Sequence, residues 1–175
     1  MPDRVFNVLF LCTGNSARSI MGEALINHLG EGRFRGSSAG STPKPDVNPL
    51  TLETLRRAGI PTEGLRSKGW DEFAMPGAPK MDFIFTVCDD AAGETCPIWP
   101  GQPLTAHWGI EDPAKVQGPD FKKEAAFEDA LRFLRNRIAA FINLPLATID
   151  RMALTSRLQG IGAMEGTTGS DKGAA

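Results

Sequence analysis

The chain has 175 residues, 41% hydrophobic and 23% charged, with a net charge of −2. That length suits one domain with a single core, and the near-neutral balance supplies no basic field for nucleic acid or an anionic membrane surface. Its apolar runs fall short of the ~20 residues that cross a bilayer, and three cysteines without metal-ligand spacing fit thiol chemistry in a reducing cytoplasm, not a disulfide framework or a zinc site.

Residues 4–11 read as a strand buried on both faces, as parallel sheets require. Cys12-Thr13-Gly14-Asn15-Ser16-Ala17-Arg18-Ser19 follows, a loop of small residues bracketed by a cysteine and an arginine. A helix over 16–29 grows out of it, because Met21, Ala24, Leu25, His28 and Leu29 recur at helical spacing before Gly30. Gly14 and Asn15 are residue types that tolerate unusual backbone angles. Such a loop turns successive N–H groups inward, and the helix adds its N-terminal partial positive charge. Residues 13–19 are therefore predicted to cradle an anion above the Cys12 thiol. The planar fork of Arg18 suits two oxygens of a tetrahedral oxyanion. In that field Cys12 is expected to be largely thiolate: lowering its pKa from ~8.5 to ~6.5 raises the thiolate fraction at pH 7 from ~3% to ~75%. The competing reading is a structural cysteine ending a strand.

A second strand is expected over 33–39. Right-handed crossover geometry makes it parallel to the first. Asn48 and Pro49 start a helix, as a capping side chain followed by proline at the first helical position; Gly59 and Pro61 end it. A short helix is expected around 70–73. Another buried strand, 81–87, delivers Cys88 at its carboxyl end. In a parallel sheet those ends open on one side, so Cys12 and Cys88 face one crevice. Seven residues separate Cys88 from Cys96, and Gly93 allows that segment to fold back. A last strand, 103–107, leads to Trp108-Gly109-Ile110-Glu111-Asp112-Pro113. The long amphipathic helix 121–142 carries Phe127, Leu131, Leu134, Ile138 and Phe141 as a core stripe. An additional helix is expected over 144–159. The Gly-, Thr- and Ser-rich residues 160–175 read as a disordered tail.

Cys12 to Ser19 resembles the active-site loop of the low-molecular-weight protein tyrosine phosphatases and of the arsenate reductases that share their fold. The resemblance runs over roughly residues 5–142. It implies a three-layer α/β/α domain (1–143) with a four-stranded parallel sheet in the order 2-1-3-4. It implies Cys12 as nucleophile, Arg18 and the loop amides as oxyanion ligands, and Asp112 as proton donor, with adjacent Glu111 the alternative. A hydrogen bond from Ser19 would lower the Cys12 pKa further. Related enzymes support the loop with a serine matching Ser38, whose bland alternative is an ordinary turn residue. Some arsenate reductases hold a potassium ion with residues matching Asn15, Glu23 and Ser38 plus an aspartate; here that place looks like Lys68. The lysine either replaces the ion beside Glu23 or is a solvated surface residue.

Two features favour the reductase branch. The related phosphatases line a phenyl slot with tyrosines near the Asp-Pro, and this chain has no tyrosine; Trp108 would substitute only in part. A reductase also needs a second thiol. Residues 87–101, Ala106-His107-Trp108-Gly109 and Asp112-Pro113-Ala114 resemble thioredoxin-coupled arsenate reductases, which implies roles for Cys88 and Cys96. The Cys88–Cys96 interval is longer than in the best-known members, which leaves Cys96 less fixed. The implied activity is cytoplasmic arsenate reduction for arsenic detoxification. It would use no bound cofactor or metal, and an external thiol reductant: thioredoxin, or alternatively glutathione with glutaredoxin. Phosphate monoester hydrolysis is the alternative activity.

Overall fold

The computed structural model describes residues 4–89 and 99–168. In chain order these form β1 (Phe6–Cys12), α1 (Arg18–Leu29), β2 (Phe34–Gly40), α2 (Pro49–Arg57), α3 (Asp71–Ala74), β3 (Phe83–Thr86) and β4 (Leu104–His107). A 3-10 turn (Pro113–Lys115), α4 (Asp120–Ile142) and α5 (Arg151–Gly162) complete them. The strands make one parallel sheet in the order β2-β1-β3-β4, as predicted.

Strand periodicity explains why β1 is apolar throughout. Val8, Phe10 and Cys12 face a large core built with Phe83 and Phe85 of β3, Leu25 of α1 and Phe141 of α4. Leu9 and Leu11 face the opposite side, against Ile84 and Met81, where Trp70, Phe73 and Trp99 cover them. Both faces are thus dry, and truncating a residue such as Phe10, which is fully buried, would cost about 3–5 kcal/mol. α2 starts where its sequence signals place it: Asn48 Oδ1 accepts the Leu50 N–H at 2.9 Å and Pro49 takes the first turn.

The C-terminal region departs from expectation. The additional helix does not begin at 144. Residues 144–149 form hydrogen-bonded turns, and α5 starts at Arg151 because Asp150 caps it, accepting the Ala153 N–H at 2.8 Å. Nor does order end at 160. α5 runs through Gly160 to Gly162, where a Cβ would stand 2.4 Å from the His107 carbonyl oxygen. The absence of a side chain is what lets α5 pack on the end of β4. Residues 163–168 then return across the sheet's carboxyl edge, with Thr167 bridged antiparallel to Ile110.

Candidate active site

The Cys12 loop sits where β1 ends and α1 begins. Its carbonyls are turned outward onto the scaffold. Thr13 O accepts from Thr42 N at 3.0 Å, Gly14 O from Lys44 N at 2.9 Å, and Ser16 O from Asn48 N at 3.0 Å and Thr51 Oγ1 at 2.8 Å. Because a trans peptide points C=O and the next N–H in opposite directions, the amides of Gly14, Asn15 and Ala17 are directed inward. The Asn15 N–H indeed donates to Cys12 Sγ at 3.1 Å. Gly40 of β2 lies directly under the loop: a Cβ there would meet Thr13 O at 2.3 Å.

Asn15 holds the loop from inside. It adopts a positive φ of 45°, a conformation asparagine accepts more readily than most residues. Its Nδ2 donates to Ser19 Oγ at 2.8 Å, and its Oδ1 accepts the Lys68 N–H at 2.9 Å. With one Ser19 lone pair so occupied, the Ser19 hydroxyl proton is free to point at Cys12 Sγ, 2.9 Å away. Two donors therefore converge on the sulfur. Burial nevertheless outweighs them and pushes the Cys12 thiol above its ordinary range. The Ser19 and Asn15 hydrogen bonds and Arg18 pull it down, while neighbouring Cys88 raises it. Burial, which leaves Cys12 4% exposed, thus opposes the standing thiolate that the loop's donors favour. The donors are positioned for the charge that develops when the proton leaves.

Arg18 lies at the rim. Its Nη1 donates to Ile110 O at 2.9 Å and its Nη2 stands 3.6 Å from Asp112 Oδ2. Asp112 also caps the following turn, accepting Ala114 N at 3.0 Å. Glu111 is exposed. Both acids line a cleft of ≈ 400 Å³ shared with Arg18, Cys88, Asp89 and Thr168. Cys88, 3% exposed, stands at the end of β3 with Sγ 3.6 Å from Thr13 Oγ1. Cys96 lies outside the described residues.

The supporting trio is brought together. Ser38 Oγ donates to Glu23 Oε1 at 2.7 Å, and Lys68 Nζ is 3.5 Å from the same oxygen. Lys68 is buried, and Nζ also donates to Arg66 O at 2.9 Å. Burial holds its pKa below the usual lysine value, with Glu23 opposing. Ser38 thus contacts Glu23, and the backbone of Lys68 is the link to the loop.

Trp108 is not a slot residue. It is fully buried, stacked on Phe85 at 3.7 Å, with its indole N–H donating to Leu158 O. Sequence reasoning missed two residues at the cleft. His107 Nε2 meets Asp89 Oδ1 at 2.8 Å, and Thr168 reaches the same oxygen. His107 followed a strand pattern, but nothing in the sequence pairs it with Asp89. Thr168 lay in a segment whose composition reads as disorder. Among the described residues no group of three or more His, Cys, Asp or Glu is arranged to hold a metal ion, and no helix is long and apolar enough to cross a membrane.

Residues 7–144 match the family described as low molecular weight phosphotyrosine protein phosphatase. The arsenate reductase of Bacillus licheniformis is 36% identical over 135 residues, 77% of this chain and 93% of that protein. That of Bacillus subtilis is 33% identical over 134 residues, with the same coverage. The crystal structure of arsenate reductase from Archaeoglobus fulgidus superposes with a TM-score of 0.61 at 27% identity, covering 78% of this chain and 99% of that one. Sequence, fold and cysteine-arginine loop agree: the chain belongs to the low molecular weight phosphotyrosine protein phosphatase family, among its arsenate reductases.

Proposed function

We propose that this chain reduces arsenate to arsenite with its own thiols. One observation carries the reading: a second buried thiol, Cys88, stands beside the Cys12 loop, its Sγ 3.6 Å from Thr13 Oγ1. Ester hydrolysis has no use for it. Arsenate is a tetrahedral oxyanion that suits the inward amides and Arg18. Cys12 loses its proton to the bound oxyanion and attacks arsenic; Asp112 protonates the departing oxygen, which leaves as water. Cys88 then attacks Cys12 Sγ. The S–As bond breaks toward arsenic, which leaves as arsenite, and a Cys12–Cys88 disulfide remains. Two thiols are oxidised by two electrons and arsenic is reduced from the pentavalent to the trivalent state. Cys96 next attacks Cys88, frees Cys12 and hands the disulfide to an external dithiol. Thioredoxin is the reductant proposed, with glutaredoxin and glutathione the alternative. Such a cycle belongs in a reducing cytoplasm and serves arsenic detoxification.

Tyrosine is absent and Trp108 is buried, so neither lines a phenyl slot beside Asp112. The test is NADPH consumption on adding arsenate, with thioredoxin and its reductase compared against glutathione and glutaredoxin. Wild type should consume NADPH and Cys12→Ser should not, because a serine hydroxyl does not ionise here. With one arsenate equivalent and no reductant, mass mapping should find a Cys88–Cys96 bridge, and Cys96→Ser should stop at Cys12–Cys88. Fast hydrolysis of an aryl phosphate with all thiols unchanged would overturn the reading.

A further inference from the structure

The family match ends at residue 144, yet the chain that follows is built into the cleft. Five contacts anchor it. The Trp108 indole holds Leu158 O at 3.0 Å. Arg137 of α4, fully buried, donates Nη1 to Glu165 O and Nη2 to Met164 O, each at 3.1 Å. Gly166, with φ of 93°, lies flat on the Phe133 ring, where a Cβ would be 2.4 Å from the nearest ring atom. Thr168 N donates to Gly109 O at 3.2 Å.

These anchors deliver one hydroxyl to one carboxylate. Thr168 Oγ1 donates to Asp89 Oδ1 at 2.8 Å. His107 Nε2 meets that same oxygen, and its Nδ1 meets Thr86 Oγ1 at 2.7 Å. An ionised Asp89 only accepts, so the proton between them sits on Nε2, while Nδ1 shares its hydrogen bond with the Thr86 hydroxyl. Gly109 leaves the space in which the three groups meet. A Cβ there would lie 2.5 Å from His107 Nε2, 2.6 Å from Thr168 Oγ1 and 2.9 Å from Asp89 Oδ1. Asp89 directly follows Cys88, so the residue beside the second thiol is gripped from β4 on one side and from the C-terminal extension on the other.

We propose that Thr168 is a positioning residue for thiol exchange: the C-terminal extension fixes Cys88 for attack on Cys12 by hydrogen-bonding the Asp89 carboxylate. The inference rests on the arsenate-reducing reading, since only there does Cys88 react. In-line attack at sulfur needs the nucleophile within a narrow approach, and small misplacement is costly. The hydrogen bonds of Thr168 go to Gly109 O and Asp89 Oδ1, so it acts on the exchange through Asp89.

The experiment measures single-turnover arsenite formation without reductant, and phosphate inhibition of the same reaction. Thr168→Val keeps the shape and removes the donor; it should slow arsenite formation about fivefold, the effect of one modest hydrogen bond, and leave phosphate inhibition unchanged. Thr168→Ser should restore the rate. A wild-type rate in Thr168→Val overturns the proposal, as does equal weakening of phosphate inhibition without rescue by serine. A second arm needs no arsenate: alkylation of Cys88 by iodoacetamide, followed by peptide mapping. Thr168→Val should change that rate severalfold, and an unchanged rate overturns the proposal. A wild type that forms no arsenite would count against the function reading, and the alkylation arm would still decide the role of Thr168.

Discussion

At the scale of single residues, Lys68 decides what kind of support the oxyanion loop has. Its ammonium stands 3.5 Å from Glu23, whose Oε1 also takes the Ser38 hydroxyl. We propose that a lysine so placed takes the role that the family resemblance assigns to a potassium ion in some members. Melting temperature and activity should therefore be indifferent to exchanging sodium for potassium at fixed ionic strength, and a potassium-specific stabilisation would contradict this. Lys68→Met strands a largely buried carboxylate. We expect a loss of about 2 kcal/mol, seen as a fall in Tm of roughly 4–8 °C. The place of Lys68 was legible only through the family resemblance, which left open whether the side chain lies beside Glu23 or in solvent. Cys12 shows the same limit: donors can be read from Asn15 and Ser19, whereas the desolvation that opposes them depends on how tightly α1 and β3 close over the sulfur.

At the scale of elements, periodicity made β1, α1 and α4 readable, because their apolar residues repeat at the spacing of the faces they bury. The extension escaped this logic. Asp150 is an ordinary cap signal, but Gly160 and Gly162 read as a helix end, and only the approach of β4 gives Gly162 a reason to be there. Arg137 shows why. It lies in an apolar stripe of α4, and its donors go to carbonyls 27 and 28 residues away. No local pattern announces such a contact. Arg137→Leu should cost about 2 kcal/mol, since two part-buried hydrogen bonds to the extension are lost, although burial also lowers the guanidinium pKa and so opposes its charge. Hydrogen exchange should accelerate at residues 163–168 and not in β1. Unchanged protection there would show that the extension docks without Arg137.

At the scale of the whole molecule, the parallel sheet does the gathering. β1 and β3 end at Cys12 and beside Cys88, β4 ends at His107, and all three ends lie on one edge. That convergence was legible, because parallel order follows from strands separated by helices. Burying a thiol at this edge also has a global cost at alkaline pH. The folded pKa of Cys12 is raised, so as pH rises past the ordinary thiol value the unfolded chain releases this proton first. Unfolded molecules then bind fewer protons than folded ones, and stability falls with pH. Cys12→Ser lacks this titration. Melting curves from pH 7 to about pH 10 should therefore fall more steeply for wild type than for Cys12→Ser, and parallel slopes would contradict the assignment.

The indole of Trp108 turns the docking of the extension into an optical signal. Its ring is sealed between Phe85 and the core, and its N–H is satisfied by Leu158 of α5. Trp70 and Trp99 sit on the opposite face of the sheet and are partly exposed, so their emission is insensitive to α5. When α5 lifts away, water reaches the Trp108 ring and its fluorescence moves to longer wavelength. The chain thus carries its own reporter of whether α5 is seated against the end of β4, readable in real time without a label.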